Sequence, residues 1–184
     1  MPGLVAPTAD ERELLLAFLG QQRDALRYAA HGLDDEQASA RPSVSQLCLA
    51  GLIKHAAQVE CAWAAYMTTG DSGVFAPADA YADGFRLVEG ETLADVIAYS
   101  NEQARALARV VGSLDLDAAL APTEDRVPWI PAGLVWSPRW VLLHLIEETA
   151  RHAGHADIIR ESLDGATCWT LMAAAEGWPQ QDWA

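Results

Sequence analysis

Four residues near the C-terminal end of the chain have metal-ligating side chains and fall at helical spacing: His144, Glu148, His152 and His155, at steps of four, four and three. They belong to a stretch that opens with Ser137-Pro138, the pairing that favours an N-cap and a first helical residue, and meets no further proline until Pro179. The stretch is predicted to be one long helix. At about 3.6 residues per turn, the four stack along one stripe. Leu142, Leu145, Ile146, Thr149, Ala153 and Ala156 flank that stripe, which turns the polar groups towards a protein interior. Buried ionisable groups need partners. A lone histidine in such a place is ordinarily a hydrogen-bonded core residue. With three histidines and a glutamate on one stripe, a divalent ion would satisfy several of them at once, since imidazole and carboxylate suit zinc, nickel and iron. A buried hydrogen-bond network is the competing reading. Helix geometry narrows the choice of ligands without settling it. His144 and His152 lie about 12 Å apart along the axis and cannot share an ion. His144 with Glu148 and Glu148 with His152 span about 6 Å, and His152 with His155 about 4.5 Å.

The rest of the chain must supply the walls of such a site. Thr8 to Glu11 has the form of a capping box and opens a first helix carrying Leu14, Leu15, Phe18, Leu19, Leu26 and Ala29, ended by Gly32. A short helical turn follows over 33–38. Ser43 to Ser45 offer N-caps for a second long helix, through Leu49, Leu52, Ile53, His55, Val59, Trp63 and Met67 to Gly70. Asp71 to Gly90 reads as an irregular connection, longer than bundle loops usually are. Thr92 and Asp95 cap a third helix that stops at Gly112, and Leu114 to Gly133, with Pro122, Pro128 and Pro131, is a second irregular crossover. Trp169 to Glu176 is predicted as a short C-terminal helix. No stretch alternates as a strand does. The expected fold is all-α: a four-helix bundle with long crossover connections plus a short C-terminal helix, forming a single domain over residues 1–184. Bundles build metal sites from inward-facing side chains on neighbouring helices. His55, the one histidine of the second helix, sits on its apolar stripe and is the natural further ligand. Trp63, Trp136 and Trp140 are read as core, and Glu60 and Arg151 as salt-bridge residues with no chemical role.

Composition bounds the function. Half of the 184 residues are apolar and the formal charge is −14, which excludes the basic patches that bind nucleic acid or anionic membranes. The N-terminus lacks the form of a signal peptide and no apolar run is long enough to span a bilayer, so the expected location is the cytoplasm. The three cysteines, Cys48, Cys61 and Cys168, are widely spaced without a C-x-x-C pair; they indicate neither a disulfide framework nor a thiolate zinc site and are read as small buried hydrophobes.

Gly51-Leu52-Ile53-Lys54-His55 together with Ile146-Glu147-Glu148-Thr149-Ala150-Arg151-His152-Ala153-Gly154-His155-Ala156-Asp157 resembles the DinB-like superfamily, especially the branch of the N-terminal metal-binding domain of mycothiol-dependent maleylpyruvate isomerase. The similarity runs from Glu11-Arg12-Glu13-Leu14-Leu15 through Arg160-Glu161. It implies a four-helix bundle that holds a divalent metal, zinc or nickel, with His55, Glu148 and His152 as metal ligands. The glutamate at Glu148 matches the isomerase branch, where many relatives have histidine. The chain ends soon after the bundle, without the isomerase's second domain.

Three protein ligands leave a coordination position for water or substrate, the arrangement of a catalytic site. The resemblance implies that a low-molecular-weight thiol, mycothiol or one like it, is activated there as thiolate and transferred to an electrophilic small molecule. His155 and His144 are then the candidates for orienting a ligand or moving a proton. Arg105, Arg109 and Arg139 are the candidate donors for an anionic thiol. The same open site serves a metal-dependent hydrolase using hydroxide, or a metal-binding, stress-associated protein without catalysis. A homodimer is a further expectation.

Overall fold

A computed structural model gives the fold and describes residues 3–75, 83–125 and 130–179. Among these residues there are six α-helices and no strand: α1 (Glu11–Ala29), α2 (Asp35–Ser39), α3 (Leu49–Thr69), α4 (Leu93–Gly112), α5 (Pro138–Asp164) and α6 (Cys168–Glu176). The all-α expectation holds, and the four long helices carry the core. α3 lies against both α4 and α5, α1 lies chiefly against α5, and α6 covers part of α1. None of the described helices is long and apolar enough to cross a membrane.

The helix that carries the ligand candidates starts where its sequence dictates. Ser137 Oγ accepts from the Trp140 N–H at 3.3 Å, Pro138 occupies the first turn, and Gly165 ends the helix at φ +79°. Thr92 and Asp95 form the expected capping box of α4, although that helix includes Gly112 and is capped by Ser113. The α1 cap is Asp10 rather than Thr8. The Asp10 carboxylate accepts from the Glu13 N–H at 2.8 Å, while the Thr8 hydroxyl donates to the Glu13 side chain at 3.1 Å. The serines before α3 do not cap it either. Ser43 and Ser45 spend their hydroxyls on the N–H groups of Ser45 and Leu47, each at 3.2 Å, so the helix begins later, after Cys48. Within the first connection, Ser72–Phe75 forms one 3₁₀ turn. Part of that connection and Pro128 in the second lie outside the described residues.

The apolar interior has two clusters. One gathers Leu26, Leu49, Leu52, Ile53, Val96 and Ile159; the other gathers Leu19, Tyr66, Leu107, Val111, Leu142 and Leu145. On α3 and α5 the seam between them falls near residues 55–63 and 146–153, which is where the ligand candidates project. A bidentate ion pair is also buried inside. Arg23 of α1 donates to both carboxylate oxygens of Glu60 on α3 at 2.6 and 2.8 Å. Glu60 is therefore an inter-helix salt-bridge residue as expected, but an interior one. Arg160 of α5 closes the end of α1 by donating to the carbonyls of Ala29 and His31, both at 2.8 Å.

Gly51 fixes the path of the first connection. A Cβ placed there would lie 2.0 Å from the Phe85 carbonyl oxygen, so the backbone of 85–86 rests directly on α3. Cys48 Sγ lies 3.6 Å from the same carbonyl, and Lys54 Nζ donates to the Arg86 carbonyl at 3.3 Å and to Glu91 at 2.6 Å. Helix propensity alone favours alanine over glycine by up to about 1 kcal/mol. At Gly51 the obstructing atom belongs to backbone and cannot swing away, so Gly51→Ala is expected to destabilise by about 1–2 kcal/mol net. Gly20, on α1 with nothing within 4 Å of a built Cβ, is expected to show the opposite sign on replacement by alanine. Thermal unfolding of the two variants checks the pair, and a stabilised Gly51→Ala would show that the connection does not bear on α3.

Candidate metal centre

His55 from the middle of α3 meets Glu148 and His152, one turn apart on α5. His55 Nε2 lies 3.5 Å and His152 Nε2 3.2 Å from Glu148 Oε1, and one ligand atom from each residue lies within 4.8 Å of the other two. Metal–nitrogen and metal–oxygen bonds of about 2.0–2.1 Å in a tetrahedron give ligand-to-ligand edges of about 3.3 Å. The two spacings to Glu148 bracket that edge, and the donor set of two imidazoles and one carboxylate suits a borderline divalent ion. The residues present therefore fit the group that the sequence implies.

The Glu148 carboxyl is held well below the usual carboxylate range by hydrogen bonds from His152 and His55, which outweigh the opposing effect of burial. Its charged form is thus favoured in the fold. Its contribution to stability is present above the ordinary carboxylate value of about 4.3 and fades as pH falls through the depressed one. At neutral pH the group is an ionised carboxylate.

Each histidine is set by its surroundings. Phe85, brought in by the contact of its backbone with Gly51, stacks on His55 with ring centroids 3.9 Å apart and planes 23° apart. The same phenyl ring lies 6.1 Å from the His152 ring and walls one flank of the site with carbon. The His55 and His152 rings meet edge to face at 5.0 Å. Nδ1 of His152 and Nδ1 of His155 are buried with no hydrogen-bond partner among the described residues, and the two rings are 6.0 Å apart.

The remaining candidates are placed differently. His144 is not part of the triad. Its ring stacks on Trp140 at 5.1 Å, meets Trp63 edgewise at 5.4 Å, and its Nδ1 is 3.9 Å from Glu147. Trp63 is core as expected and Trp136 is half-buried, but Trp140 is 42% exposed although it packs on Trp63 and Trp136. Arg139 is committed to Glu11 and Asp117, and Arg105 and Arg109 are exposed on α4, which packs on α3 away from α5; none of the three reaches the triad. Arg151 is exposed. Of the cysteines, Cys48 is buried and Cys61 partly so, whereas Cys168 is exposed, because it opens the peripheral helix α6. Sequence reasoning missed Phe85 and Gly51. Phe85 is a bulky apolar residue in a connection otherwise rich in small and acidic ones, which was the available signal, and Gly51 stands in an apolar helix face where alanine would be the usual choice.

No curated protein matches the chain significantly. The family described as mycothiol S-transferase matches residues 14–165 of the 184, a span that includes all of α3 and α5 and every member of the triad. With so much of its length matched, the chain belongs to the mycothiol S-transferase family.

Proposed function

We propose that this protein transfers the sulfur of mycothiol, or of a low-molecular-weight thiol of like chemistry, to an electrophilic small molecule, using a divalent metal held by His55, Glu148 and His152. The convergence of those three ligand atoms within 4.8 Å of one another carries the reading. Family membership supplies the thiol and favours it over hydroxide as nucleophile. Zinc and nickel are the ions best suited to the donor set. The relation to the maleylpyruvate isomerase branch rests on the motif around Glu148 alone.

When bound, such an ion supplies the Lewis acidity that lowers the pKa of a thiol towards neutrality. The chain's own groups do the rest. Glu148 arrives ionised and balances part of the positive charge. Phe85 excludes water from one flank and fixes the His55 ring. The sulfur forms its new bond to carbon, the displaced electron pair passes to the leaving group or conjugated acceptor, and the thiol proton goes to His155, whose buried Nδ1 has no partner among the described residues.

The test is thiol consumption by the metal-supplemented protein in the presence of mycothiol and an electrophile. Turnover is expected in the wild type and none in Glu148→Gln. His155→Ala is expected to keep its metal and lose about 10- to 100-fold in rate. Ester hydrolysis that needs no thiol would favour the hydroxide reading instead.

A further inference from the structure

One stripe of α5 continues beyond the triad in the other direction. Trp136, just ahead of the helix, then Trp140 and His144 are spaced four residues apart, as are His144, Glu148 and His152. The first three rings form a ladder. Trp136 and Trp140 stack at 5.1 Å and 17°, and Trp140 and His144 at 5.1 Å and 19°. Trp63 of α3 supports all three from the side, with its centroid 5.0 Å from Trp136, 5.6 Å from Trp140 and 5.4 Å from His144. At the next step of four the residue is Glu148, whose side chain turns to His55 and His152. Among the described residues no further ring stacks on His144. The ladder thus ends on an imidazole one helical turn before Glu148 on α5, a rise of about 6 Å along the axis.

We propose that this end is the electrophile subsite, and that it takes a flat, uncharged, electron-poor ring or conjugated compound as the next rung. The inference rests on the thiol-transfer reading for its purpose, though not for its test. Electron-rich indole and imidazole rings favour offset stacking with an electron-poor plane. Such a rung would lie level with Glu148, beside the place where sulfur is activated. The side chains around the ladder argue against an anionic ligand. Arg139 is bound to Glu11 and Asp117, and the titratable neighbour of His144 is the acidic Glu147. Both residues at this end are partly exposed, with side-chain exposures of 30% at His144 and 27% at Glu148.

The probe is 1,3-dinitrobenzene, flat, uncharged and unreactive towards thiols under mild conditions, titrated into the purified protein with no thiol added while tryptophan emission is followed. Saturable quenching is expected. One stacking contact changes affinity by about two- to tenfold. His144→Leu should therefore weaken binding by about fivefold, His144→Phe should restore it, and nitrocyclohexane, similar in size but not flat, should bind about fivefold more weakly than the probe. Linear, collisional quenching, equal binding by His144→Leu, or equal binding of nitrocyclohexane would overturn the inference. Because neither metal nor thiol enters the measurement, failure of the metal assignment leaves this result intact, and failure here leaves the metal assignment intact.

Discussion

Alanine in place of His152 or His55 is expected to bring the purified protein from about one equivalent of divalent first-row metal to almost none. The reason is the donor count. His55, Glu148 and His152 supply three ligand atoms clustered within 4.8 Å, and losing one leaves two, which seldom hold an ion against buffer. The affinity loss should exceed the roughly 10- to 100-fold that removal of an outer partner costs. Glu148→Gln keeps the size of the side chain and removes its charge, and should weaken binding almost as much, since this carboxylate is the anionic member of the set and both imidazoles point at it. His144→Ala and His155→Ala should keep their metal, because neither ring belongs to the cluster. Elemental analysis of the five variants beside the wild type decides the matter. A His144→Ala protein that arrives empty would place the ion one turn towards the start of α5. Chelation of the wild type should lower its melting temperature while leaving helix content largely intact, since bound ligand stabilises a site that the helices already form.

A second large effect is expected at a buried ion pair that the proposed chemistry does not use. Glu60→Ala should destabilise the protein by about 3–5 kcal/mol, because it strands the Arg23 guanidinium in the interior without a counter-charge. The pair is enclosed, with side-chain exposures of 9% for Arg23 and 2% for Glu60, and its two hydrogen bonds satisfy Arg23 on the fork that faces α3. For a chain of this length each kcal/mol moves the melting temperature by about 2–4 °C, so a fall of roughly 10 °C is the expected reading. Replacing both partners, Arg23→Met with Glu60→Leu, should recover most of the loss, as apolar substitutes for a buried pair often do. Calorimetry of the single and double variants tests this. A single variant within 1 kcal/mol of wild type would mean that water reaches Arg23 freely.

These expectations depend on features that differ in how plainly the sequence shows them. The course of α5 was legible because Ser137-Pro138 opens it and no proline interrupts it. The i, i+4 relation of Glu148 and His152 followed from that helix, and the apolar stripe around His55 named the partner from α3. Local chemistry, in each case, was enough. The α1 cap was misplaced by two residues because Thr8 and Asp10 both precede an acidic first turn, and only the folded geometry shows which oxygen reaches the Glu13 N–H. Phe85 was not legible as part of the site, since its position depends on the backbone of 85–86 lying across Gly51, thirty-four residues earlier in the chain. The Arg23–Glu60 pair was hidden for the same reason. A charge on a helix announces a salt bridge, but its burial is decided by how α1 and α3 pack. The exposure of Trp140 also depends on packing, since aromatic character alone reads as core.

The most direct measurement of the central claim is the electronic spectrum of the cobalt(II)-substituted protein before and after addition of mycothiol. Cobalt in a site of two imidazoles and one carboxylate should give visible bands of low-coordinate form, and the thiol should add a sulfur-to-cobalt charge-transfer band in the near ultraviolet, absent from Glu148→Gln. Appearance of that band at one cobalt per chain is the predicted result. A cobalt spectrum that the thiol leaves unchanged, or one identical in Glu148→Gln, would contradict the assignment of this triad to thiol activation.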